Sequence, residues 1–308
     1  MKKQAILFLF VIFGCNPTHS AKLDSHHAKS DSILVMQHLK TITKTEGFRH
    51  ISDTATLNQT AEYIFSVFRQ FSDTVYYQTF QVYNKTYKNV VCRLGSVNNK
   101  PVVVVGAHYD TVINTEGADD NASGVVGLLE LVRILSKEKL NYPVEIVAYS
   151  LEEIRPMHGS LTHAKSLHDS KTPVYGMVGF EMIGYFDDKP KSQSYPFKPM
   201  KVIYGGKGNF ILLAQKIGTG AFTRKFSKSF NKHAKIKTKK MQAPKKWGVG
   251  RSDHANYWKF GYDALMITNT ADYRNPNYHK SSDTIETLDI PKMMKVIDAT
   301  ALAIIYLK

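Results

Sequence analysis

Cysteine is scarce: the 308-residue chain has two, Cys15 and Cys92, enough for one disulfide at most, so packing rather than a disulfide framework must hold the fold. Long apolar runs are missing as well. The only one, residues 5–13, is too short to cross a bilayer as a helix. Acid is absent from one long stretch, since residues 189–252 carry seventeen Lys or Arg and no Asp or Glu, while the rest has twenty-four basic against twenty-six acidic residues. The whole formal excess of +15 therefore sits in one block. What is present is ordinary for a globular protein: 43% hydrophobic and 22% charged residues, with 11 Pro and 19 Gly, which excludes collagen and a disordered chain.

The N-terminus has the layout of an export signal, with Lys2 and Lys3 before the apolar run and Gly14-Cys15 after it. This resembles a bacterial lipoprotein signal. Phe13, two positions before Cys15, is larger than the usual residue there, which keeps ordinary cleavage and secretion as the alternative. The organisation expected is a signal over 1–20, a tether over 21–30 and one domain over 31–308, exported to the periplasm or cell envelope and lipid-anchored at Cys15. Within the basic block, residues 224–246 interleave Phe226, Phe230 and Ile236, so part of it reads as amphipathic. A solvated face and an anion-binding surface, such as one facing an anionic membrane, fit equally well. Nucleic acid is a poor partner for an exported chain.

Hydrophobic periodicity predicts helices over 32–43, 60–71, 122–135, 160–167, 210–217 and 291–307, and strands over 75–82, 88–94, 102–106, 144–150, 174–180 and 264–268. Strands alternating with helices argue for an α/β fold, a three-layer sandwich with a largely parallel, mixed central sheet between helices. Ligands in such sheets bind beyond the carboxyl ends of the strands. Four strand ends deliver chemistry there: His108 and Asp110 with Asp119 in the following loop, Glu152 and Glu153, Glu181, and Tyr278 with His279.

Oxygen and imidazole donors are the composition of a zinc site. Three carboxylates, Asp119, Glu153 and Glu181, would repel one another in a cleft, and two Zn2+ with one bridging hydroxide would balance them, His108 and His279 being neutral ligands. A dinuclear site with metals about 3.5 to 4 Å apart fits that arithmetic. Glu152 is then the spare carboxylate, placed to act as general base, and Asp110 is placed to orient the His108 ring.

His108-Tyr109-Asp110, the run from Gly117 through Asp119-Asp120-Asn121 to Gly124, Glu152-Glu153, Glu181, Ser252-Asp253-His254 and Tyr278-His279 together resemble the zinc-dependent exopeptidases of the M28 type, the bacterial leucyl and related aminopeptidases. The resemblance covers most of the chain beyond the signal. It implies two Zn2+ per chain, one held by His108, Asp119 and Glu181 and the other by Asp119, Glu153 and His279, with Asp119 bridging and Asp120 supporting it. It implies Glu152 as general acid and base, Tyr278 as donor to the oxyanion, a cis bond between Asp119 and Asp120, and peptide or protein substrates with a free N-terminus.

Two departures stand out: Glu181 where the family usually has Asp, and a segment from Glu152 to Ser160 one residue longer than usual. Three alternatives remain beside the aminopeptidase: a carboxypeptidase using Arg155 or Arg251, a glutaminyl cyclase, and a binding module without catalysis. His254 reads evenly as a core histidine or a pocket wall. His26, His27, His158, His163 and His168 read as surface residues, and Cys92 as a small buried hydrophobe. Oligomeric state is not legible.

Overall fold

The computed structural model describes residues 29–96, 99–197, 199–218, 220–244 and 248–308. The expected signal, tether and Cys15 lie outside the described residues, apart from Lys29 and Ser30.

The chain enters through two helices, α1 (Ser32–Thr43) and α2 (Thr54–Arg69). Each begins on an aspartate whose carboxylate accepts orphan backbone N–H groups, Asp31 from Ile33 and Leu34, Asp53 from Thr56. Strands β1 (Val75–Val82) and β2 (Lys85–Leu94) form an antiparallel hairpin. Then β3 (Val102–His108), α3 (Gly124–Leu135), β4 (Val144–Tyr149), α4 (His158–Asp169) and β5 (Val174–Glu181) alternate. The second half adds α5 (Met200–Tyr204), β6 (Ile211–Lys216), α6 (Ala221–His233), β7 (Thr238–Ala243), α7 (His254–Lys259), β8 (Ala264–Thr268) and α8 (Ile290–Ile305).

The eight strands form one sheet in the order β1-β2-β4-β3-β5-β8-β6-β7. Its centre, β4-β3-β5-β8, is parallel, and the antiparallel joints are β1 with β2, β2 with β4, and β6 with β8. The fold is the mixed α/β sandwich expected. Strand alternation divides the core: Val103 and Val105 pack into one cluster with residues of α1, α2, α3, α6 and α8, while Val104 packs into another with residues of α4 and α7. Because the four central strands run the same way, their carboxyl ends at His108, Tyr149, Glu181 and Thr268 share one edge of the sheet.

Two expectations fail. Residues 210–217 were read as a helix, but Ile211–Lys216 is strand β6, paired antiparallel with β8 and parallel with β7. Its apolar run is short and continuous, the pattern of a strand covered on both faces, which periodicity alone does not separate from a helix. His163, read as a surface residue, is buried on α4. Its Nε2 lies 2.7 Å from Glu145 Oε1 and its Nδ1 lies 2.6 Å from the Tyr257 hydroxyl, which is in turn 2.6 Å from that of Tyr149. A polar ring is tolerable there because both nitrogens find partners. Cys92 is buried as expected, and burial pushes its thiol up to about 12.

Candidate active site

Beyond the carboxyl edge of β3 the chain makes a tight loop that carries Asp119 and Asp120. Gly117 takes a left-handed backbone (φ 57°), and a Cβ there would collide with the Asp120 carbonyl. Fully buried Arg49 holds this loop from below, donating to the carbonyls of Ile42, Tyr109, Glu116 and Gly117. Asp283 holds it from the side, its two oxygens accepting the backbone N–H groups of Asp119 and Asp120 at 3.0 Å each. The cis peptide bond lies between Asp120 and Asn121, one residue later than expected.

That offset changes which aspartate faces the site. Asp120, not Asp119, lies between the two imidazoles, with Oδ1 3.4 Å from His108 Nε2 and Oδ2 3.2 Å from His279 Nε2. The carboxylate of Asp119 is spoken for elsewhere: it accepts Asn269 Nδ2 at 2.7 Å, Asn275 Nδ2 at 2.8 Å, and the backbone N–H groups of Gly184 and Tyr185 at 2.9 and 3.1 Å. It belongs to no group of candidate ligands among the described residues, whereas Asp120 belongs to two.

The other candidates converge as the sequence implied. Glu181 Oε2 lies 3.4 Å from His108 Nε2, and Glu153 Oε2 lies 3.3 Å from His279 Nε2. Two triads share Asp120, His108 with Asp120 and Glu181, and Asp120 with Glu153 and His279, and a third group brings His108 together with Glu152 and Glu153; in each, one donor atom per residue lies within 4.8 Å of the others. The longer Glu181 is steadied by Ser252 Oγ, which donates to it at 2.6 Å. Asp110 does more than orient a ring. Its backbone carbonyl lies 3.1 Å from His108 Nδ1, closer than its Oδ1 at 3.5 Å, and its two carboxylate oxygens accept the backbone N–H groups of Glu152 and Glu153 at 2.9 and 3.1 Å. One carboxylate thus fixes the ends of β3 and β4 against each other.

The donor set fits a divalent metal such as zinc. Asp120 Oδ1 and Glu153 Oε1 are buried without a hydrogen-bond partner, a costly state for a carboxylate oxygen unless a cation meets it. Burial opposes charge on Asp120, yet contact with His108 and His279 holds its pKa well below the ordinary carboxylate range. Glu153 is pushed up to about 7, by burial first and by Asp120 next. Burial would lower the pKa of His279, but Asp120 and Glu153 raise it to about 10. Protons and carboxylates are here packed where a cation would do the same electrostatic work.

Glu152 is buried, and burial raises its pKa well above the usual value, helped by the charges of Glu181 and Glu153. Tyr278 stacks on His279 with ring centroids 3.8 Å apart, and burial followed by the neighbouring carboxylates raises its pKa. Both line a cavity of about 230 Å3 whose walls also include Tyr204, Phe210, Met241, Met266 and Arg251. His254 resolves as a core residue, its Nε2 2.6 Å from the Val249 carbonyl and its ring edge-on to Trp258.

Residues 89–304 match peptidase family M28. The chain belongs to that family. An uncharacterised protein, YfbL, of Escherichia coli strain K12 is 35% identical over 95% of this chain and 94% of its own length. A probable leucine aminopeptidase 1 of Trichophyton verrucosum is 27% identical over 63% of this chain, which spans about half (51%) of that fungal protein. LapB of Legionella pneumophila superposes with a TM-score of 0.75 at 22% identity, covering 94% of this chain and 75% of that one. A Bacteroides thetaiotaomicron glutaminyl cyclase superposes with a TM-score of 0.67 at 15% identity, covering 91% and 99%. Both likenesses are of fold.

Sequence reasoning missed Asp283, Asn269, Asn275 and Arg49. None carries a motif, and each acts by reaching a loop more than sixty residues away in the chain.

Proposed function

We propose that this M28 chain is a dizinc aminopeptidase that removes the N-terminal residue of peptides or proteins. The observation that carries the reading is Asp120, set between His108 and His279, with each imidazole also facing a second carboxylate, Glu181 or Glu153. Asp120 would bridge, His108 and Glu181 completing one half-site and His279 and Glu153 the other. Zinc bound there would supply a Lewis acid and lower the pKa of bound water to about 7.

The chain's own residues do the rest. Glu152, buried beside the imidazoles and carboxylates, takes the proton of the attacking water and returns it to the leaving amine. Tyr278, with its proton held firmly, donates to the oxygen that gains charge in the transition state. Ser252 and Asp110 keep Glu181, His108 and the Glu152-Glu153 turn in register. The apolar wall of Phe210, Leu212, Met241 and Met266 accepts the substrate's N-terminal side chain.

Export and lipid attachment at Cys15 accompany this reading, supported by Lys2, Lys3 and the apolar run before Cys15. Purified protein assayed with and without chelator, on free and N-acetylated peptides and on peptides with N-terminal glutamine, tests the function. Chelator-sensitive release of the first residue from free peptides alone is the result expected. Cleavage of acetylated peptides would point to a carboxypeptidase, and cyclisation without hydrolysis to a glutaminyl cyclase.

A further inference from the structure

The long connection between β5 and β6 is pinned to the cleft at its middle. Gln193 is buried and donates to Thr270 Oγ1 at 2.8 Å, Ser194 Oγ donates to the Tyr273 carbonyl at 2.7 Å, and the Tyr195 hydroxyl donates to the Gly205 carbonyl at 2.9 Å. Beyond these anchors, α5 turns two residues inward, Met200 and Tyr204, which line the cavity. No residue of α5 is buried. Val202 is 90% exposed and Ile203 74%, with Phe197 beside them in sequence at 44%. Three large apolar side chains on one short exposed segment are a patch that water alone does not explain.

Lysines are frequent on the same stretch of chain: Lys189, Lys191, Lys201 and Lys207 are exposed, and a Cβ placed on Gly206, just after α5, would lie 3.1 Å from the Lys201 side chain and 3.9 Å from the Lys191 backbone nitrogen. Lys239 reaches the same turn from β7, its Nζ 3.9 Å from the Phe210 ring centre. Of the acids that precede the segment, Asp188 is paired with Lys292 at 2.7 Å, while Asp187 accepts the Lys189 backbone N–H and keeps its charge, one acid against four exposed lysines. No acidic residue follows until Asp253.

We infer that the α5 segment, residues 199–207, docks the protein on an anionic phospholipid bilayer. An apolar tip flanked in the chain by lysines is the chemistry of an interfacial anchor: the tip enters the boundary between headgroups and acyl chains, and the lysine stems extend along the apolar surface while their ammonium groups pair with phosphates. A partner protein of acidic surface would match the lysines but leave Val202 and Ile203 without an apolar host of their own. Docking in this way puts the rim of the cavity, through Met200 and Tyr204, beside the membrane surface. The inference stands apart from the aminopeptidase reading, since vesicle binding is measured without substrate.

The test uses the chain without the expected signal, residues 1–20, so that neither an acyl chain nor the apolar run of residues 5–13 contributes, with vesicles of pure phosphatidylcholine or with phosphatidylglycerol added. Binding to the anionic vesicles at least about tenfold tighter than to neutral ones, and weakening as salt rises, is expected. Val202→Ser with Ile203→Ser, and separately Lys191→Gln with Lys201→Gln and Lys207→Gln, should each weaken it at least about tenfold while leaving the melting temperature unchanged. Turnover of a small soluble peptide by the Val202/Ile203 pair should match the parent, because neither residue lines the cavity. Equal binding to both vesicle types, or equal binding by parent and both variants, overturns the inference. So does capture of an acidic peptide with no binding to vesicles.

Discussion

Asp119 and Asp120 are neighbours in the chain with unlike tasks: Asp119 accepts two side-chain amides and two backbone N–H groups, while Asp120 lies within 3.4 Å of both His108 and His279. Asparagine at each position separates the roles. Asp120→Asn should cut metal content and activity at least about 100-fold. Asp119→Asn should cost about 1.5 to 3 kcal/mol for each charged hydrogen bond weakened, seen as a fall in melting temperature with or without metal. Metal loss in a stable Asp119→Asn and retention in Asp120→Asn would reverse the assignment.

The spare carboxylate is tested by Glu152→Gln. The amide keeps shape and cannot accept a proton, so kcat should fall at least about 100-fold with KM and bound metal little altered. Turnover near the parent rate removes Glu152 as the base.

Metal number follows from the two triads. Elemental analysis of replete protein should find two ions per chain, and His279→Ala should keep the half-site of His108, Asp120 and Glu181 and so retain one. Restoring zinc to chelated protein at about 100 times its Kd should add about 2.7 kcal/mol of stability, read as a rise in melting temperature. A single ion in the parent protein rejects the dinuclear reading.

Acid stability should depend on Glu145. Burial opposes its charge, but His163 and Arg93 outweigh burial and hold its pKa below the ordinary glutamate value. A carboxylate depressed in the folded state adds stability that is complete above its unfolded pKa, about 4.3, and is lost as pH falls through the lower folded value. Melting temperature should therefore fall more steeply below about pH 4.3 in the parent than in Glu145→Gln. Parallel curves would show that the Glu145 charge is not linked to folding.

The layered α/β fold, most of its strands, and the gathering of acids and histidines beyond the carboxyl ends of β3, β4 and β5 are legible in the sequence, because apolar periodicity and the strand-then-acid pattern are local. The sequence also named His108, Glu152, Glu153, Glu181, Tyr278 and His279, residue types with few other reasons to recur at strand ends. Which of Asp119 and Asp120 faces the two imidazoles is not legible in the sequence. Adjacent residues of one type are identical in composition, and the choice was made by Asn269, Asn275, Asp283 and Arg49, which meet the loop from remote parts of the chain. The same reason hid strand β6, whose short apolar run fits helix or strand until β7 and β8 flank it, and the place of His163, polar by type and buried because Glu145 and Tyr257 satisfy both of its nitrogens.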